Sequence, residues 1–197
     1  MAENDQTDQM AALSDSLLLQ RINNGDIDSF EVLFYRHYDR VYGLLFRLLG
    51  NRVEAEDITQ EVFLKLYKRP LSGKREHNLN SWLYRVATNM AYNHIRARKR
   101  RWGRNRWLVP ETSSERGDLS EGLALEERRT AVRAALSSLP QRQTELLILR
   151  EMGFSYAELA EACEVAPGSV GTLLGRAAEA FRKAYQGESS EAKDVPV

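Results

Sequence analysis

With 197 residues, 43% of them hydrophobic and 28% charged, the chain has room for one large domain or two small ones and an ordinary globular makeup. Its 28 Lys and Arg balance 28 Asp and Glu, so net charge alone points to no acidic or basic partner. A single cysteine, Cys163, excludes an internal disulfide framework, and no apolar run approaches the roughly 20 residues that cross a bilayer.

The opening MAENDQTDQM is acidic and polar, unlike a secretory signal; a cytoplasmic protein without membrane insertion is expected. Strand signals are almost absent, so the expected fold class is all-α. A short helix fits Asp15 to Asn24, ended by Gly25. Asp28 then caps a long helix whose Phe30, Leu33, Phe34, Val41, Leu45 and Leu48 form one stripe and which Gly50 stops. A third helix fits Val53 to Lys68. Ile58, Val62 and Leu66 face inward on it, while Glu54, Asp57, Gln60, Glu61 and Leu64 lie on more exposed faces. Pro70 ends it. After the loop PLSGKREHNL, a fourth helix starts near Asn80 or Ser81, buries Trp82, Leu83, Val86 and Met90, and runs into an arginine cluster.

From Arg101 to Leu125 the periodicity dissolves into a linker containing PETSSERGDLSEG. Helices resume at Leu125, with Pro140 suited to the first turn of one. Ser155 and Glu158 make a capping box for a short helix to Cys163. The turn EVAPGS leads into a last helix, Gly168 to Tyr185, with Val170, Leu174, Ala177 and Phe181 buried. The expected organisation is a disordered tail (1–14), a helical domain (15–100), a linker (101–125), a second helical domain (126–186) and a disordered tail (187–197).

No catalytic signature is present: no Gly-rich phosphate loop, H-E-x-x-H, G-x-S-x-G or C-x-x-C. His37, His77, His94 and Cys163 are too far apart for metal-ligand spacing. No catalytic residue, metal or cofactor is expected. Two features carry chemistry instead. The stretch from Trp82 to Trp107 holds Arg85, Arg96, Arg98, Lys99, Arg100, Arg101, Arg104 and Arg106 and no acidic residue. Cations attract phosphate. Trp82, Tyr84, Tyr92, Trp102 and Trp107 offer faces on which unpaired bases stack, each worth about 1–3 kcal/mol. Asn89 and Asn93 can read base edges from one helix face. The plainer alternative makes Trp82 and Tyr84 core and the arginines a solvated helix end, which the helix dipole favours. The co-occurrence of cations and rings favours nucleic acid. The second feature is the pair of C-terminal helices, spaced as in a helix-turn-helix or as in a hairpin that only packs.

EAEDITQEVFLKLYKR, LNSWLYRVATNMAYNHIRARKRR, LSSLPQRQTELLILREMGFSYAELAEACEV and PGSVGTLLGRAAEAFRKAY resemble, in order, the signatures of bacterial RNA polymerase sigma factors. Within the sigma-70 family the closest resemblance is to the extracytoplasmic-function type. The resemblance implies a non-catalytic subunit that binds core RNA polymerase, recognises the minus-ten and minus-thirty-five promoter elements and promotes melting. Its domains would be sigma domain 2 and the helix-turn-helix of sigma domain 4. Implied partners are the clamp helices of the largest polymerase subunit, the polymerase flap, promoter DNA in double- and single-stranded form, and an anti-sigma factor. Asp57, Gln60, Glu61 and Leu64 match clamp-facing positions. The loop Ser72 to Leu79, with Lys74, Arg75 and Asn78, matches the segment that holds a flipped base. Trp82, Arg85, Asn89, Asn93, Arg96, Arg98, Lys99 and Arg100 match the surface that reads and melts promoter DNA. In the second domain Ser155, Ser169, Thr172, Arg176, Arg182 and Lys183 match DNA contacts. The chain departs from the family at Gly171, Leu173, Gly175 and Ala178, beside Glu179, where basic residues are usual. Two glycines inside a helix cost about 1 kcal/mol each relative to alanine. Sequence leaves open whether they admit a close neighbour.

Overall fold

The computed structural model describes residues 12–69, 71, 79–102 and 119–191, with backbone alone at 99, 102, 119–126 and 188–191. Among these residues every regular element is helical. The chain divides into two compact units, Met1–Ala91 and Tyr92–Val197, and the division falls inside a helix.

The first unit contains α1 (Asp15–Asn23), α2 (Ile27–Leu49), α3 (Arg52–Lys68) and the first part of α4 (Leu79–Trp102). The starts of α1, α2 and α3 are each capped by a short polar side chain, which satisfies amide groups that a helix end leaves bare. Ser14 caps α1 and Asn51 caps α3. The cap of α2 is Asp26 rather than the expected Asp28, its carboxylate accepting from the Ser29 amide (3.2 Å) and hydroxyl (2.7 Å). Gly25 turns the chain at φ 88°, so the extended cap position falls on the next residue and Asp28 moves into the first turn. Gly50, at φ 70°, ends α2 as expected.

Leu18, Leu19 and Ile22 of α1, Leu33, Val41, Leu44, Leu45 and Leu49 of α2, and Ala55, Ile58, Val62, Phe63 and Leu66 of α3 form the core. Phe34 meets Phe63 at 4.8 Å between ring centres and Phe30 meets Tyr67 at 5.0 Å, so the start of α2 lies against the end of α3. Leu48, expected in the buried stripe, is half-buried. On α4 the inner side is Leu83, Tyr84, Ala87, Thr88 and Ala91, while Trp82, Val86 and Met90 are half-buried. Choosing the bulkiest side chains shifts the expected face by one residue, because small residues take the tightest positions. The Thr88 hydroxyl is satisfied by the Tyr84 carbonyl (2.8 Å).

In the second unit, α5 (Leu119–Ser138), α6 (Gln141–Glu151), α7 (Tyr156–Ala162), a 3-10 turn (Pro167–Ser169) and α8 (Val170–Glu191) follow the end of α4. α8 packs on α5 and α6. Pro140 is the N-cap of α6, not part of its first turn. α4 runs to Trp102, α5 begins at Leu119 and α8 runs to Glu191, so helix enters both ends of the expected linker and the expected C-terminal tail. Extending an existing helix is far easier than nucleating one, and polar composition alone does not stop it. Residues 1–11, 103–118 and 192–197, which include much of the expected tails and linker, lie outside the described residues. Cys163 is buried and its thiol is pushed up to about 12 by burial, which makes it a packing residue rather than a nucleophile.

One carboxylate ties α1 to α2. Asp15 accepts from Arg36 at 2.6 Å and from His37 Nε2 at 2.8 Å, and Arg36 also donates to the Leu13 carbonyl at 2.8 Å. His37 is buried and structural. The hydrogen bond from His37, ahead of the contribution of Arg36, holds the Asp15 carboxyl below the usual carboxylate range despite partial burial. The folded-state pKa lies below the unfolded one. Its stabilisation is therefore complete above the unfolded value, near 4, and is lost as pH falls through the folded value. Asp15→Asn should destabilise the protein at neutral pH by about 1–3 kcal/mol. In urea unfolding, the gap between wild type and variant should narrow below pH ~4; a gap independent of pH would contradict this account.

Candidate functional site

α3 has one face committed to the core and another left over. Asp57, Gln60 and Glu61 are exposed, and so is Leu64, at 48%. Tyr67, one turn beyond Leu64, is also exposed at 46% while its ring makes a T-shaped contact with Phe30. Sequence reading passed over Tyr67, although its spacing from Leu64 already puts it on the same side. The result is an acidic strip ending in an apolar patch.

α4 carries a second strip. Trp82, Arg85, Asn89, Asn93, Arg96 and Arg100 recur at three- and four-residue steps and so fall along one side of a continuous helix. Asn89, Asn93, Arg96 and Arg100 are exposed; Trp82 and Arg85 are half-buried. Arg96 folds its Nε back to the Tyr92 carbonyl at 3.3 Å. Arg98, two residues on from Arg96, is turned about 200° away and belongs to another face. Tyr84 is 1% exposed, which removes it as a stacking surface and makes it core. The side chains of Lys99 and Trp102, and residues Lys74, Arg75, Asn78 and Trp107, lie outside the described residues.

In the second unit α7, the turn and α8 form the helix-turn-helix. Glu164 takes the left-handed conformation (φ 52°) just after α7, where glycine is usual, and turns the chain toward α8. Ser155 is committed to capping α7: its hydroxyl accepts from the Glu158 amide (3.3 Å) and donates to the Glu158 carboxylate (2.7 Å). Ser169, Thr172 and Arg176 are exposed at the start of α8. Lys183 is exposed but paired with Glu179 at 2.9 Å. With Arg182 it lies about 15–16 Å along the helix from Thr172, well past the first turns. Two residues that sequence reading missed stand near the start of α8. Tyr156, 51% exposed, has the Arg150 guanidinium 5.4 Å from its ring centre, and Arg150 also donates to the Phe154 carbonyl at 2.7 Å. The signal available was an arginine and an aromatic residue flanking the cap Ser155.

A β-carbon at Gly171 would meet the Tyr156 ring at 3.6 Å, an ordinary contact, and one at Gly175 would meet nothing within 4 Å. Among the described residues nothing requires glycine at either position. Among the described residues no group of His, Cys, Asp and Glu could hold a metal ion, and no helix is long and apolar enough to cross a membrane.

A helical body with an exposed strip of cations and polar side chains on α4, followed by a helix-turn-helix, defines an all-helical protein with a helix-turn-helix unit. The model of Sigma-70 region 2 matches residues 33–101 and that of Sigma-70 region 4 matches residues 129–181. The ECF RNA polymerase sigma-E factor of Escherichia coli (strain K12) is 32% identical over 183 residues, covering 88% of this chain and 95% of that one. The RNA polymerase sigma-H factor of Pseudomonas aeruginosa is 30% identical, covering 87% and 94%. CnrH, solved in complex with the cytosolic domain of CnrY, shares the fold at a TM-score of 0.64 and 18% identity, covering 88% and 97%. RpoE of Bartonella quintana, solved with the anti-sigma factor NepR, does so at 0.60 and 23%, covering 80% and 96%. The chain belongs to the extracytoplasmic-function group of the sigma-70 family, and its role is that of a sigma factor in transcription initiation.

The open glycines give a direct expectation. Gly171→Ala and Gly175→Ala should each stabilise the protein by about 0.5–1 kcal/mol, because alanine improves helix propensity and no atom of the chain stands in the way. Thermal or urea unfolding measures this, and destabilisation by either alanine would show that its space is filled.

Proposed function

We propose that this sigma factor docks on core RNA polymerase through Asp57, Gln60, Glu61 and Leu64, with Tyr67 extending the patch, and that α4 then reads and melts promoter DNA. The observation that carries the second half is the single exposed strip of α4. It presents Trp82, Arg85, Asn89, Asn93, Arg96 and Arg100 together, so one surface meets the charged backbone and unstacked bases of a melted strand. The segment Ser72 to Leu79, with Lys74, Arg75 and Asn78, holds a base flipped from the same element. Lys99 joins the basic end of α4, whereas Arg98, on another face, serves a different contact or none. In the second unit Ser169, Thr172 and Arg176 meet the upstream element. Arg150 and Tyr156 add a phosphate contact to an α8 poor in free cations, and Ser155 acts as a cap rather than as a direct reader. Arg182 and Lys183 contribute at most to the general field. The α3 face is also where an anti-sigma factor would compete, the class of partner with which RpoE of Bartonella quintana was solved. The setting is the cytoplasm, where polymerase works.

Reconstitution with core enzyme, after the start sites it creates have been mapped, tests the assignment. Asp57→Lys with Glu61→Lys should weaken core binding while changing stability within about 0.5 kcal/mol, as exposed substitutions usually do. Asn89→Ala with Asn93→Ala should leave core binding intact and reduce the permanganate reactivity of promoter thymines. Unchanged reactivity would remove α4 from melting.

A second measurement addresses Arg150. Each phosphate contact contributes about −0.9 to the slope of log K against log salt. Arg150→Ala should make the slope of holoenzyme–promoter binding shallower by about that amount. An unchanged slope would return Arg150 to a purely structural role.

A further inference from the structure

Three elements of the second unit meet at one exposed corner. Arg150 stands in the last turn of α6, Tyr156 is the first residue of α7, and Gly171 lies in the first turn of α8. The backbone between the first two is fixed. Phe154 is 6% exposed and its amide donates to the Leu149 carbonyl at 3.1 Å, while the capping box of Ser155 and Glu158 sets the start of α7. The Arg150 guanidinium is held at two points. One terminal nitrogen donates to the Phe154 carbonyl (2.7 Å), and the guanidinium carbon lies 5.4 Å from the centre of the Tyr156 ring, within cation–π range. The Cε2 edge of the same ring lies beside Gly171, 3.6 Å from where a β-carbon would stand. Among the described residues the Phe154 carbonyl is the one hydrogen-bond acceptor of Arg150. The rest of a five-donor fork is left for an external acceptor.

We infer that Tyr156 is a positioning residue for DNA binding by the second unit: its ring face holds the Arg150 fork in the geometry that meets a phosphate. The inference rests on the reading that Arg150 contacts the DNA backbone. An exposed arginine is long and rotamer-rich, and it loses that freedom when it settles on an anion. A guanidinium already stacked on a ring and tied to a carbonyl has lost much of it before DNA arrives, so more of the contact appears as affinity. The face of the ring does this and the hydroxyl does not. Phenylalanine should therefore serve in its place, and alanine should not.

The experiment uses full-length protein in reconstituted holoenzyme, on a promoter found by start-site mapping. Promoter affinity is measured across a salt series for Arg150→Ala, Tyr156→Ala, Tyr156→Phe and the double variant Arg150→Ala with Tyr156→Ala. Tyr156→Ala should weaken binding about two- to fivefold, the range of one exposed cation–π contact, with thermal stability unchanged. Tyr156→Phe should bind as wild type does. In the Arg150→Ala background, Tyr156→Ala should cost nothing further, because the group it positions is gone. An equal loss with and without Arg150 would show that Tyr156 acts on its own and overturn the proposal. So would a Tyr156→Phe variant as weak as Tyr156→Ala, which would make the hydroxyl the contact. A loss of thermal stability in step with binding would reduce Tyr156 to a structural role and overturn it as well. If Arg150→Ala weakens binding and makes the salt slope shallower while Tyr156→Ala does neither, the positioning role falls and the phosphate contact stands. If Arg150→Ala changes neither affinity nor slope, the phosphate contact falls and the positioning role with it.

Discussion

The exposed strip of α4 exists because the opposite side of the same helix is held by small residues. Leu83 and Tyr84 fill volume, Ala87 and Ala91 are fully buried beside them, and the buried Thr88 satisfies its hydroxyl on its own helix through the Tyr84 carbonyl. A bulkier inner face would disturb the packing that leaves Trp82, Arg85 and Asn89 on the outer side. Core packing and the exposed face are thus two sides of one constraint, since each residue of a helix points in only one direction. α3 obeys the same rule: Ile58, Val62, Phe63 and Leu66 are spent on the core, and Asp57, Gln60, Glu61 and Leu64 are what remains.

Much of this was legible in the sequence, for identifiable reasons. Gly25 and Gly50 marked helix ends because glycine takes the left-handed conformation at little cost, and both do so here. The Ser155–Glu158 box was readable because its two hydrogen bonds need a fixed spacing. Exposure along α3 followed from helical period alone. Most of what failed depended on a neighbour far away in sequence, although the shift of the α2 cap was local. Tyr84 reads equally well as a base-stacking ring or as core, and tertiary packing alone decides for core. The burial of Ala87 rather than Val86 depends on how closely the helix approaches its neighbours. Asp26 displaced Asp28 as a cap because of the turn geometry at Gly25. The hydrogen bond from the Asn23 side chain to the Leu71 carbonyl, 48 residues away, carries no local signal at all.

The charge distribution shows why net neutrality was a poor guide. The exposed acidic residues of α3 and basic residues of α4 lie on separate helices, and at physiological salt exposed charges more than about 8 Å apart are largely screened from one another. The whole-chain sum therefore says little about either surface.

The same reasoning applies within α8, at closer range. Lys183 is held by Glu179, and the first turns offer Ser169, Thr172 and Arg176 as polar groups where the family usually supplies more cations. A helix-turn-helix so poor in positive charge has two ways to bind DNA. It can rely on cations from neighbouring elements, such as Arg150 beside Tyr156, or it can let the backbone come closer where side chains are absent. Gly171 and Gly175 are open in the chain itself, so if they matter, it is for a partner at that surface and not for the fold. Helix propensity then opposes recognition: the residues that would allow close approach weaken the helix that makes it, and the packing of α8 on α5 and α6 must offset that weakness.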